Sequence, residues 1–290
     1  MTKTETINWL DLLKAEITGA ADVELELNRF GYNVDEVYHR RVTTLCGGIP
    51  KPWLGRWAAK SVAEYAVEHH LQWSDLPERD ATNLLKQVPW RIRDEAGDRG
   101  TAVHNAIEAH LHGHGLPDDL NEDERLCAEA AQRFLAERDS QILAAEMTVW
   151  NSTLDYAGTF DMWDVWQGER WLLDWKTSAN VYAEHAIQLA AYMNAKRAIV
   201  NKVAITHSGK SEKWEGKVIE WGPHMVDRLG VVHVTPEGCT LYPVRYTDRL
   251  WHVFRAAVFT KMFLLDTDDF AGKEPRFQVF DEPIKMNGDE

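Results

Sequence analysis

The chain has 290 residues, 44% of them hydrophobic, with 13 tryptophans and a formal charge of −14. That length and apolar content fit a folded globular protein with a sizeable core, and exclude a disordered or fibrous chain. The acidic balance argues against a protein that coats nucleic acid, although an enzyme gripping DNA locally can stay acidic overall.

An amphipathic helix is expected over 9–17, then mixed polar sequence to 40. The first residues lack the apolar core of a secretion signal, and no run of about 18 apolar residues predicts a membrane span. Residues 41–45 read as a short strand or extended entry, and Gly47 to Pro52 as a loop. Helices are expected over 54–70 and 81–86, with Pro89 a break before a new helical stretch at Trp90. Residues 100–111 are strongly helical, ended by Gly113 to Pro117. Asn121, with Glu124 three residues on, is an N-cap for a helix to Arg138. The pattern then changes to strands over 146–150, 157–166 and 171–175, rich in Val, Trp, Phe and Thr. A helix is expected over 184–200, and strands over 202–207, 217–221, 230–234 and 240–244. A long closing helix covers 248–265, with Trp251, Phe254, Phe259 and Phe263 as its packing residues, and 286–290 reads as a frayed end. The simplest division is a helical N-terminal extension over 1–95, a core over 96–281 and a tail over 282–290, expected to form one compact unit by the lack of any linker.

Two of the central strands carry acids. Gly158-Thr159-Phe160-Asp161 lies on one and Asp174-Trp175-Lys176 on the next. Asp174 and Lys176 are two apart, so on a strand they share a face. Asp161 reaches the same place if the two strands pair as a hairpin. Two converging carboxylates suit a hard cation such as Mg²⁺ or Mn²⁺. A lysine beside them can hold a scissile phosphate or an attacking water, which is the kit of metal-dependent phosphodiester hydrolysis. Taken singly, the acids read equally well as surface strand residues with Lys176 as an ion-pair partner.

Other residues stand out along the chain. Gln188 and Tyr192 are four apart and share one helix face. His104 follows Gly100-Thr101, where a glycine allows close helix-to-sheet packing, and Glu108 lies one turn further on. Glu146 opens the first core strand. Arg99, Lys196, Lys210 and Lys213 are candidate phosphate contacts, and Trp53 and Trp57 are candidates to stack on unpaired bases or, more simply, to pack their helix. His110, His112 and His114 suggest zinc, but Gly113 and Gly115 break the helix, so the three read as a polar loop. Cys46, Cys127 and Cys239 are odd in number and far apart, which predicts no disulfide framework and points to a reducing cytosol.

The ordered set Gly100-Thr101-Ala102-Val103-His104, Gly158-Thr159-Phe160-Asp161, Asp174-Trp175-Lys176-Thr177 and Gln188-Leu189-Ala190-Ala191-Tyr192 resembles the PD-(D/E)XK nuclease superfamily, in its RecB-type exonuclease branch. Val42-Thr43-Thr44, Lys51-Pro52 and Trp57-Ala58-Ala59 look like the opening of phage-encoded members. The resemblance covers about 42–207. It implies an α/β fold, with a restriction-endonuclease-like core, a mixed central sheet flanked by helices, and the N-terminal helical extension. It implies His104, Asp161, Asp174 and the backbone carbonyl of Trp175 as ligands to Mg²⁺ or Mn²⁺. Lys176 would then handle the attacking water and the transition-state charge, with Gln188 and Tyr192 near the DNA strand. Glu108 and Glu146 would support the ligands. Relatives that carry an iron–sulfur cluster need four thiolates, and three cysteines predict none here. The implied activity is a metal-dependent DNA exonuclease acting on linear ends, in phage recombination, replication or end processing in a host cytoplasm. A single-strand annealing protein is an implied partner. A structure-selective or nicking endonuclease with the same site is the alternative, as is a DNA-binding protein without catalysis. Polarity, strand preference and oligomeric state are not legible.

Overall fold

A computed structural model describes residue 17 and residues 20–28, 31–208 and 211–267. The expected helix over 9–17 (Ile17 apart), Lys210 and the tail over 282–290 lie outside the described residues. Three strands come first: β1 (Asp22–Asn28), β2 (Gly31–Val34) and β3 (Val37–Arg41). In β1 the apolar Val23 and Leu25 are buried while Asp22 and Glu24 between them are exposed, the alternation of a strand with one wet face. A two-residue turn, Asp35-Glu36, joins β2 to β3 with both residues at positive φ.

Short α1 (Val42–Cys46) leads to α2 (Trp53–Glu68), α3 (His70–Trp73) and the long α4 (Glu78–Leu111). The break expected at Pro89 does not occur, and α4 runs through that proline as one helix. Then come α5 (Glu122–Arg138), β4 (Gln141–Asn151), β5 (Tyr156–Trp166), β6 (Glu169–Lys176) and α6 (Ala183–Met193). The Asn121–Glu124 capping box at the start of α5 is formed in both directions. β7 (Arg197–Ser208), β8 (Ser211–Glu220), β9 (Arg228–Thr235), β10 (Gly238–Val244) and α7 (Asp248–Thr267) complete the described chain. The helix expected over 184–200 stops at Met193, and the β-branched Ile199 and Val200 belong to β7.

The ten strands run in the order β10-β9-β6-β5-β3-β2-β1-β8-β7-β4, and β4 pairs back onto β5. Seven strands, β5-β3-β2-β1-β8-β7-β4, therefore close into a barrel, and β6, β9 and β10 extend from it as a wing. This overturns the expected restriction-endonuclease-like open sheet. It also corrects the purely helical N-terminal extension, because β1 to β3 complete the barrel. Closure depends on two short ladders: parallel Arg40↔Tyr156 and Arg41↔Ala157, and antiparallel Val149↔Ala198 and Trp150↔Arg197.

Three apolar clusters hold these parts together. Val23, Leu25, Tyr32, Val34, Trp150, Ala157 and Ile199 draw from five of the barrel strands. Val103, Ile107, Cys127 and Ala131 of α4 and α5 cover one side of the wing, against Met162, Leu173, Trp175 and Val232. On the other side α1, α6 and α7 pack through Leu45, Leu189, Tyr192, Phe254 and Val258 against Phe160, Leu172 and Val231. Phe254 is buried against Tyr156 and Trp251, whereas Phe259 is 59% exposed and does not join that packing. No helix among the described residues is long and apolar enough to cross a membrane.

Candidate active site

The site forms where β5 changes partners along one edge. Tyr156 and Ala157 pair with β3, and Met162 to Trp166 pair with β6. Between them, Gly158 to Asp161 have no ladder pair on that edge among the described residues. The strands fork there, and a cleft of about 190 Å³ opens. Its walls include Arg41, His104, Gly158, Asp161, Asp174 and Lys176. Gly158 has a steric reason: a Cβ would lie 2.5 Å from the Tyr192 ring and 3.1 Å from Val42.

Asp161 stands at the fork, buried. Its Oδ2 accepts the Trp175 backbone N–H at 2.5 Å, so the carboxylate replaces a strand partner. Its Oδ1 lies 3.4 Å from His104 Nδ1, and His104 Nε2 lies 3.0 Å from the Trp175 carbonyl oxygen. Gly100 helps α4 come this close, since a Cβ there would press on Thr177 at 3.2 Å. Ligand atoms of His104, Glu146 and Asp161 all fall within 4.8 Å of one another.

Asp174 and Lys176 occupy the adjacent wall as an ion pair. Gln188 on α6 donates from Nε2 to Tyr192 Oη at 2.7 Å and reaches Asp174 Oδ1 at 3.4 Å. The sequence set His104, Asp161, Asp174, Trp175, Lys176, Gln188 and Tyr192 is thus brought together in space. The tight three-residue cluster contains Glu146, while Asp174 is engaged with Lys176.

Burial shapes the charges. It pushes Asp174 up to about 6 and Glu146 up to about 8, in both cases with help from the Asp161 charge. Burial would lower His104, but the charge and hydrogen bond of Asp161 outweigh it and hold the imidazole up at about 9. Burial also opposes ionisation of Asp161, and the neighbouring His104 and Lys176 prevail, keeping it below the usual carboxylate range. Lys176 is raised: desolvation is overcome by Asp174 and Asp161.

The remaining candidates lie elsewhere. Glu108 is 3.9 Å from His112, not on His104. Arg99 borders a separate small pocket with Thr177, Ser178 and His233. Lys196 is exposed at the start of β7. Lys213 is ion-paired to Glu24 and Glu26, so part of the basic stretch is neutralised across the β1–β8 ladder. Trp53 is 45% exposed and stacks on Tyr182 at 5.5 Å, while Trp57 is half-buried. His110 faces Gln132, apart from His112 and its glutamate. Arg41, which the sequence marks as the start of an extended segment and not as a site residue, lines the cleft and donates to the Asn28 carbonyl at 2.6 Å; no local motif marks it. No protein-family model matches this chain, and no curated protein matches it either.

Proposed function

We propose that the protein is a divalent-metal-dependent phosphodiester hydrolase that removes nucleotides from DNA ends. The observation that carries this reading is the convergence of His104, Glu146 and Asp161 within 4.8 Å, beside the Asp174–Lys176 pair. The donors are two carboxylates, an imidazole and the adjacent Trp175 carbonyl, a hard-to-borderline set suited to Mg²⁺ or Mn²⁺. Burial first, and the Asp161 charge after it, raise Asp174 and Glu146, so a cation bound between these acids would favour their ionised forms. The reading rests on this site and not on the architecture.

A divalent cation held by His104, Glu146, Asp161 and the Trp175 carbonyl would supply Lewis acidity to the scissile phosphate and lower the pKa of the attacking water. The chain's own groups do the rest. Lys176 stays protonated and directs Nζ to the phosphate oxygens, where negative charge grows. Asp174 holds that ammonium in place, and Gln188, braced by Tyr192, holds Asp174. With a raised pKa near 6, Asp174 is the carboxyl best placed to take a proton from water beside Lys176. The reading places the reaction in a reducing cytosol, with which the free thiols Cys46, Cys127 and Cys239 agree.

The test is purified protein with Mg²⁺, Mn²⁺ or chelator, on linear and closed-circular DNA. Loss of linear DNA alone is expected. Cutting of circles would move the reading to an endonuclease. No hydrolysis of DNA or RNA with either metal would overturn it in favour of a binding protein.

A further inference from the structure

Glu146 has φ of 48°, a left-handed backbone that a strand glutamate seldom adopts. It lies between Ala145, paired with Met162, and Met147, paired with Phe160, which places it across from Asp161. On the other edge, among the described residues, β4 meets β7 at Val149↔Ala198 and Trp150↔Arg197 alone, so the two strands have parted at the level of Glu146. The Glu146 carbonyl therefore lacks a ladder partner on β7 and needs another donor. Lys202 of β7 supplies it: Nζ crosses the gap and donates to the Glu146 carbonyl oxygen at 2.6 Å. The same ammonium lies 5.3 Å from the centroid of the Trp214 ring, which fixes its path. Lys202 and Glu146 also line a shared cavity of about 390 Å³ on the barrel side of the cluster.

Resting on the reading of His104, Glu146 and Asp161 as a metal-binding set, the geometry points to Lys202 as the residue that positions Glu146. By clamping the left-handed backbone of β4 at Glu146, it turns the Glu146 carboxylate toward His104 and Asp161. Lys202 acts through Glu146 and is a positioning residue, not a catalytic one.

The experiment is a Mn²⁺ titration followed by electron paramagnetic resonance on the full chain. It compares wild type, Lys202→Met, Lys202→Arg, Glu146→Gln and the Lys202→Met/Glu146→Gln double variant, with circular dichroism as the check on folding. Lys202→Met is expected to weaken Mn²⁺ binding by about tenfold or more, the scale for groups that orient a ligand. Lys202→Arg, which keeps a cationic donor, is expected to recover most of that loss. The double variant is expected to bind no more weakly than Glu146→Gln alone, because the lysine acts through that glutamate. Wild-type binding by Lys202→Met, or a further equal loss in the Glu146→Gln background, overturns the inference. If Lys202→Met does not fold, Lys202→Gln takes its place with the same expectations. Absence of Mn²⁺ binding by wild type defeats the metal reading itself, and is seen before any variant is compared.

Discussion

The carboxylate of Asp161 takes the place of a strand partner for the backbone N–H of Trp175. That contact sits at the fork where β5 passes from β3 to β6, so one side chain both closes the gap in the ladder and faces the cleft. It ties the shape of the site to its chemistry, because the Trp175 carbonyl on the next atoms of the chain meets His104.

Asp161→Asn should therefore keep the Trp175 N–H contact through its amide oxygen while removing the charge beside His104. We expect a loss of metal-dependent hydrolysis greater than about a hundredfold, beyond the range for supporting groups. Steady-state cutting of linear DNA with Mn²⁺ measures it, and an activity within about threefold of wild type would remove Asp161 from the site.

Lys176→Met should separate catalysis from metal binding. In the proposed reaction the ammonium serves the phosphate and not the cation, so the expected loss is about 10²–10³ in kcat, with Mn²⁺ affinity preserved. Parallel kinetic and calorimetric titrations check both halves. A collapse of Mn²⁺ binding would show that the Asp174–Lys176 pair belongs to the metal cluster instead.

Arg138 and Asp164 make a buried, two-pronged ion pair, with contacts of 2.7 and 3.2 Å, and the guanidinium lies 4.3 Å from the Trp166 ring. Asp164→Ala strands a buried cation and should cost about 3–5 kcal/mol of stability. Replacing both partners with apolar residues should recover much of it. Urea unfolding gives the comparison. Equal stabilities of Asp164→Ala and wild type would mean the pair is solvated.

His185 provides a pH test at the rim of the site. Burial lowers it from 6.5 to about 4, helped by the charges of Lys176, His233 and Lys51, while Glu184 of the same helix is taken up by Lys51 at 2.7 Å. The unfolded chain binds this proton below about 6.5 and the folded chain resists it to about 4. Its contribution to stability is therefore complete above the higher value and is lost as pH falls through that window. Thermal melts should show wild type losing more Tm than His185→Gln between about pH 7 and about pH 4.5. Identical losses would contradict the shift.

Much of the site is legible in the chain because it is written in short spacings. Gly158 to Asp161, Asp174 to Lys176, and Gln188 with Tyr192 each need only the period of one strand or one helix, and the structure brings them together. The Asn121 cap is equally local. The barrel is not local. Its closure rests on pairings between β3 and β5 and between β4 and β7, two residue pairs each, which no local pattern announces. The turn at Asp35-Glu36 lacks the glycine or asparagine that positive φ usually demands, so the β2–β3 hairpin carries no turn signal. The alternation Val23, Leu25 and Leu27 was readable as β1, but its acidic partners make the segment look merely polar. Glu146 reaches the cluster through an unusual φ, and Lys202 through a gap between strands, both set by tertiary structure.

The central claim is that His104, Glu146 and Asp161 hold a divalent cation at the fork. The most direct measurement is anomalous diffraction from crystals grown with Mn²⁺. The account predicts a manganese peak bounded by the imidazole of His104, the carboxylates of Glu146 and Asp161 and the carbonyl of Trp175, lost in Asp161→Asn. A peak on other residues only, or none at a Mn²⁺ concentration that supports hydrolysis, would contradict it.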